Sequence, residues 1–306
     1  MQGLDLIIRC PICHGKLEFS EGARCHGCQR RYSEAEGIPI LVDFEDSIFK
    51  PEDYATSAGK VIPRLQKGSR LGRFLGRLTY GDNEVASHNI HVFLGRVRAI
   101  SAEPIVLVVG GGTIGSGVSD LYRDENVRVV GVDVYVSPIV EVICDGHKLP
   151  FANESFDGVL IQAVLEHVLD PHRVVEEIHR VLKHGGIVYA ETPFMQQVHE
   201  QAYDFTRFTL SGHRWLFRKF SEVESGQVLG PGIGLLWSIC YFVRSITGSN
   251  KVATIVTAPF FWLRLIEKLA KRGLALDAAS GLFFMGSKAG QSLKANEMPD
   301  YYHRNR

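Results

Sequence analysis

Residues 104–117 read PIVLVVGGGTIGSG and residues 127–133 read VRVVGVD. The first is an apolar run of strand length that breaks off into glycines. The second is another such run, and it ends in an acid. Apolar strands separated by helix-length connections are the pattern of a parallel sheet with crossover helices. Gly110, Gly111, Gly112 and Gly115 permit a tight turn and let backbone amides approach a ligand where the next helix begins. Asp133 stands at the end of the second strand, where an acid in a doubly wound sheet accepts hydrogen bonds from ribose hydroxyls. One nucleotide-like ligand lying across the strand ends accounts for both features. The spacing Gly110-x-Gly112-x-x-Gly115 followed by Asp133 suits a nicotinamide dinucleotide as well as other nucleotide cofactors, so the glycine loop alone does not choose.

The choice comes from downstream. CDGHKLPF (144–151) ends a third strand in an acid, SFDGVLI (155–161) is a fourth strand, and QAVLEHVLDP (162–171) follows it. A helix is expected over residues 171–182, with Asp170 as its cap and Pro171 in its first turn. His184-Gly185-Gly186 should stop it, and residues 187–191 form a fifth strand. Residues 209–217 read as a helix, 220–228 as strand six and 281–288 as the closing strand. The fold class is therefore α/β: a doubly wound, Rossmann-like, seven-stranded sheet.

This ordered series resembles the class I S-adenosylmethionine-dependent methyltransferases of the type 11 family, over about residues 104–225. The resemblance implies a methyltransferase domain at 101–290 with S-adenosylmethionine as cofactor. It places Gly110, Gly111, Gly112 and Gly115 around the methionine part, Asp133 on the ribose diol, Asp145 on the adenine amino group and Gln162 in the pocket wall. An NAD-dependent oxidoreductase has no reason to carry these motifs. Two positions depart from the family pattern: Val108 stands where an acid is usual, and Ile114 where the third glycine is usual. They keep open a non-catalytic scaffold.

Methyl transfer from a sulfonium asks the protein for in-line approach of a nucleophile, exclusion of water and sometimes a base. His167, just after strand four, is one candidate base. PFMQQVH (193–199) and YDFTRFT (203–209) follow strand five and resemble a segment of type 11 methyltransferases of bacterial glycan and cell-surface pathways. His199, Tyr203, Asp204 and Arg207 are thus candidates to position or deprotonate an acceptor hydroxyl. The competing reading is an Asp204–Arg207 pair that only clamps its loop. The acceptor implied is a glycan, a lipid-linked intermediate or another small metabolite, with RNA as the rival.

Outside this domain, Cys10, Cys13, Cys25 and Cys28 form two CxxC pairs within residues 1–45. Each pair offers two converging thiolates, and four of them close a tetrahedral structural zinc site. The stretch resembles Trm112-like zinc ribbons, which accompany methyltransferases. Residues 46–100 are expected to be a basic, partly helical linker, in which Lys60, Arg64, Lys67, Arg70, Arg73 and Arg77 share one helical face. Residues 229–280 are an apolar helical insertion, too short in each segment to span a bilayer. They are expected to pack as core helices or a homodimer surface, with peripheral membrane contact through 229–265 as the alternative. Residues 291–306 read as a polar, loosely ordered tail.

The formal net charge of zero leaves no global field to recruit nucleic acid or an anionic membrane. The opening MQGLDLIIRC lacks a secretory pattern. Together with paired rather than scattered cysteines, this predicts a reducing cytoplasmic setting.

Overall fold

The computed structural model describes residues 3–20, 22–54, 81, 83–290 and 292–305. The basic face expected over Lys60–Arg77 lies outside the described residues.

The N-terminal module has a three-stranded antiparallel sheet, β1 (Leu17–Ser20), β2 (Gly22–Cys25) and β3 (Arg31–Tyr32), and a two-stranded ribbon, β4 (Glu34–Ala35) with β5 (Ile38–Pro39). It does not stand apart. Ile8, Cys10, Cys25, Tyr32 and Leu41 are buried in one cluster with Val142, Leu149 and Phe151 of the main domain. Ile8 bridges Phe151, and Ile40 pairs in parallel with Ile143. A unit this small cannot bury enough apolar surface alone, and here it borrows the edge of the larger core.

The main sheet comprises β6 (Ile105–Val109), β7 (Arg128–Asp133), β8 (Val142–Ile143), β9 (Phe156–Gln162), β10 (Leu182–Pro193), β11 (Phe220–Leu229) and β12 (Gly281–Lys288). Their spatial order is β11-β12-β10-β9-β6-β7-β8. Only β12 runs antiparallel to its neighbours. Strands β6 and β9 are buried almost throughout, as continuous Val/Leu/Ile runs require in a sheet covered on both faces. Chain order reverses between β6 and β9, which are adjacent and parallel, so a crevice opens at their carboxyl ends.

One face is covered by α1 (Glu84–Ile100). Asn83 caps it by accepting from the Ala86 N–H, and Ile90, Phe93, Leu94 and Val97 form its buried stripe. This helix falls within the segment expected to be linker. Its apolar residues recur at three- and four-residue intervals, and that stripe packs on β9, β10 and β11, so the packed core starts near residue 83 rather than 101. Gly158 of β9 allows the close approach, because a Cβ there would collide with Phe93 and Val97. A short α2 (Ser119–Arg123) follows the glycine loop.

On the other face, α3 (Pro171–Val181) begins as expected, with Asp170 accepting from the Arg173 N–H and Pro171 in the first turn. It ends one residue early. Leu182 already belongs to β10, and His184-Gly185-Gly186 sits within that strand, not in a loop. The extra residues are absorbed by a register shift between Leu182 and Ile187, with Gly185 at φ +77°. Helix α4 (Leu210–Leu216) is capped by Thr209.

The insertion contains α5 (Pro231–Thr247), α6 (Asn250–Thr257), α7 (Leu263–Ile266) and α8 (Arg272–Asp277). It is not a pair of core helices. Among the described residues its helices bury only Ile233, Gly234 and Leu236 of α5, Ala253 and Thr257 of α6, and Ala275 and Leu276 of α8. Phe242, Ile246, Ile255, Leu265 and Leu269 are exposed. No helix among the described residues is long and apolar enough to cross a membrane. The tail expected to be loose ends in α9 (Met298–Asn305), where Tyr301 is buried and its hydroxyl lies 2.9 Å from Ser225 Oγ.

Candidate active site

The crevice at the end of β6 and β9 is a cavity of about 600 Å³, a volume suited to a nucleotide-sized ligand. Val108, Gly110, Gly115, Asp133, Asp145 and Gln162 all line it. Gly110 has φ +75°, a conformation open to glycine. Side chains on Gly112 or Gly115 would run into Tyr135 and Gln162. Gly110 and Gly115 therefore border the cavity, whereas Gly111 and Gly112 are not among its lining residues and let the loop pack closely against Val108 and Tyr135.

Asp133 holds that loop in place. Its Oδ2 accepts from Gly112 N–H at 2.7 Å and its Oδ1 from Val134 N–H at 2.7 Å. Gln162 Nε2 donates to Ser116 O at 3.0 Å and to Glu191 Oε2 at 2.9 Å. Gln162 Oε1 is buried and has no hydrogen-bond partner among the described residues, which leaves an acceptor for a ligand ammonium or hydroxyl. Glu191 also lines the cavity. Burial pushes its carboxyl up, while donors from Gln162, Tyr189 and Asn83 pull it back.

Asp145 accepts from Ser47 Oγ at 2.5 Å and from His147 Nδ1 at 2.5 Å. Because His147 Nε2 accepts from the Asp170 N–H at 3.1 Å, the Nδ1 carries the ring proton. Burial raises the Asp145 carboxyl, yet the His147 and Ser47 bonds overcome it and hold the group below its ordinary value. It is an anion here, with Ile48 and Phe49 beside it in the cavity wall.

The segments after β9 and β10 meet at a cluster of polar side chains. His167 and His199 line the cavity, with ring centroids 4.8 Å apart and nearly perpendicular. His167 Nδ1 donates to the Tyr203 carbonyl at 2.8 Å, and burial lowers its pKa to about 4, so the ring is neutral. Between the histidines lies Glu166, whose side chain is 1% exposed; burial raises its pKa to about 8.

Tyr203, Asp204 and Arg207 are placed differently from His199. Arg207 is bound to Asp204 and also donates to the carbonyls of Gln196, Gln197 and Thr206. Burial raises Asp204, but Arg207 overrides it and brings the pKa to about 2. Asp204 Oδ2 in turn accepts from the His199 N–H at 2.8 Å. The Tyr203 ring stacks on Phe49 at 6.1 Å. Among the described residues these three do not line the cavity; they brace the loop that carries His199.

The four cysteines form a second cluster. Cys10 and Cys28 Sγ are 3.7 Å apart, and Cys13 and Cys25 Sγ are 3.4 Å apart. Thiolates about 2.3 Å from one zinc at tetrahedral angles stand roughly 3.8 Å from each other, so the donor set fits that ion. Gly15 and Gly27 keep the turns open, since a Cβ at either would press on a cysteine sulfur.

Residues 107–190 match the model of the methyltransferase domain family. The segment contains the glycine loop, Asp133, Asp145, Gln162, Glu166 and His167. An uncharacterised protein of Methanocaldococcus jannaschii is 38% identical over 81 residues, 24% of this chain and 39% of that protein. A demethylmenaquinone methyltransferase of Renibacterium salmoninarum is 37% identical over 108 residues, 31% of this chain and 45% of that one. The chain thus spans less than half the length of these relatives. A solved structure of Haemonchus contortus phosphoethanolamine N-methyltransferase 2 with S-adenosyl-L-methionine aligns over 72% of this chain and 57% of that one, at 19% identity and a TM-score of 0.43.

Several residues of the site were not singled out from sequence: Ile48, Phe49, Asn83, His147 and Glu191 line the cavity, while Ser47 and Glu166 contact its lining residues Asp145 and His167. Glu166 had a signal, being the neighbour of His167 in an otherwise apolar phrase. Glu191 had one as well, as a lone acid closing an apolar strand. Ser47 and Phe49 had none, because they reach the site from about a hundred positions upstream.

Proposed function

We propose that this protein is an S-adenosylmethionine-dependent methyltransferase that transfers a methyl group to an oxygen of a small, glycan or lipid-linked acceptor. The observation that carries the reading is the convergence of the glycine loop, Asp133, Asp145 and Gln162 on one cavity within the segment that matches the methyltransferase domain. When bound, the cofactor supplies a sulfonium methyl: a carbon–oxygen bond forms as the carbon–sulfur bond breaks, leaving a neutral thioether and releasing the acceptor proton.

The chain's own residues bind and orient. Asp133, which fastens the Gly112 and Val134 amides, lines the cavity and accepts from the ribose diol. Asp145, fixed by Ser47 and His147, accepts from the adenine amino group. Gln162 Oε1 and Glu191 present oxygen to the methionine ammonium, which answers the loss of the acid at Val108. Ile48 and Phe49 keep water from the adenine end. Zinc is proposed at Cys10, Cys13, Cys25 and Cys28 as a structural ion, which suits a reducing cytoplasm.

Exposed apolar side chains on α5 to α8 support a hydrophobic or membrane-borne acceptor. A carbon acceptor of quinone type is the second reading, favoured by the demethylmenaquinone methyltransferase among the relatives. Calorimetric titration of the zinc-loaded chain with S-adenosylhomocysteine and with NAD tests the cofactor. Micromolar binding of the first alone is expected. Binding of NAD alone, or of neither, would overturn the reading.

A further inference from the structure

Glu166 poses a physical problem. Its carboxyl is 1% exposed, and neither oxygen has a hydrogen-bond partner on another described residue. An unpaired polar group at that depth costs several kcal/mol unless something compensates it. Among the described residues the guanidinium of Arg207 acts on it, but that group is committed to Asp204 and three carbonyls.

Two imidazole nitrogens face the same carboxyl. His167 Nε2 is 3.5 Å and His199 Nε2 is 3.8 Å from Glu166 Oε1. Both separations are too long for good hydrogen bonds. They are close to the roughly 3.0–3.4 Å expected between ligands that each sit about 2.1 Å from one ion. The three ligand atoms lie within 4.8 Å of one another.

The outer nitrogens are held as well. His167 Nδ1 donates to the Tyr203 carbonyl. His199 Nδ1 is 3.3 Å from Asp204 Oδ2 and 3.3 Å from the Gln197 carbonyl. A histidine whose far nitrogen is pinned by a carboxylate or carbonyl, with its near nitrogen turned to a shared point, has the second-sphere arrangement of metal-bound histidine. The Asp204–Arg207 clamp thereby gains a purpose: it fixes the tautomer and direction of His199.

We infer that Glu166, His167 and His199 form a divalent-cation site, with two nitrogens and one oxygen, opening on the cofactor cavity. The donor set suits zinc, manganese, iron or cobalt better than calcium or magnesium. Three protein ligands leave positions open toward the cavity, where an acceptor oxygen can bind. What the ion does there rests on the methyltransferase reading. A hydroxyl bound to it gives up its proton to water more readily, and the oxygen then takes the methyl as the carbon–sulfur bond breaks.

The test counts ions on the whole chain. Wild type, Glu166→Gln and His199→Gln are dialysed to equilibrium against micromolar zinc and, separately, manganese, and the bound metal per chain is measured. Wild type is expected to hold one ion more than either variant, for at least one of the two metals. Equal counts for all three proteins, with both metals, overturn the site. Glu166 is buried, so circular dichroism is run on each variant; if Glu166→Gln does not fold, His199→Gln, at a partly exposed position, decides alone. S-adenosylhomocysteine titration of the same samples keeps the two readings apart. Loss of nucleotide binding in wild type with the extra ion present removes the methyltransferase assignment and leaves the metal site standing.

Discussion

Replacement of Asp133 gives a graded test of how the cofactor cavity is built. Its two oxygens accept from the Gly112 and Val134 amides, each at 2.7 Å, and hydrogen bonds to a charged group are worth about 1.5–3 kcal/mol each. Asp133→Ala removes both and also the ribose partner. If the ribose contact contributes about 2–3 kcal/mol on the same scale, the dissociation constant of S-adenosylhomocysteine should rise about 30- to 150-fold. Asp133→Asn keeps one oxygen as acceptor and turns the other into a donor that faces an amide. It should recover the Val134 contact but lose the Gly112 one, with an intermediate loss of roughly tenfold. Calorimetry supplies the affinities and thermal unfolding supplies the stability of each variant. A fall in Tm with unchanged nucleotide affinity in both variants would show that Asp133 only fastens the turn, and the ligand-binding reasoning would fail.

Two further outcomes follow from buried groups. His213 is fully buried, its Nε2 lacks a partner among the described residues, and desolvation lowers its pKa to about 3. The unfolded chain therefore takes up a proton near pH 6.5 that the folded chain refuses, so this group's contribution is complete above about 6.5 and is lost as pH falls towards 3. The loss is about 1.4 kcal/mol per pH unit, and His213→Phe should remove that slope in urea titrations between pH 6.5 and 5. An identical slope in the variant would refute it. Stripping metal from the cysteine cluster should lower the Tm of the whole chain by several degrees, because Cys10, Cys25 and Tyr32 share a core with the sheet. An unchanged Tm at zero metal content would mean that the module folds without an ion.

Strands β6, β7 and β9 were legible because their burial on both faces demands unbroken apolar runs, and the residues at their ends, Gly110, Asp133 and Gln162, follow from the topology. Helix α1 was harder to see. Its stripe of Ile90, Phe93, Leu94 and Val97 is diluted by His88, His91, Arg96 and Arg98, so composition resembles the basic stretch before it even though periodicity does not. The end of α3 was misplaced because a glycine pair reads as a stop in a helix and equally as a bulge in a strand. The insertion could not be judged at all from apolar content. That content is the same whether a helix is covered by sheet or left facing outward, as Phe242 and Ile246 are. Glu166 shows the limit most clearly, since one glutamate letter stands for a solvated surface charge and for a sealed carboxyl alike.

The segment leaving the N-terminal module ties it to the nucleotide end of the cavity. Ile40 pairs with Ile143, Asp43 binds Lys148 at 2.6 Å, and Ser47 reaches Asp145 at 2.5 Å. The proposed ion site and the adenine wall of the cavity are then joined by one strap only a few residues long. Linkage makes such an arrangement reciprocal: whatever free energy ion binding adds to nucleotide affinity, nucleotide binding adds to ion affinity. Any such coupling would pass through the strap at Asp43 to Phe49, where the module meets the adenine wall.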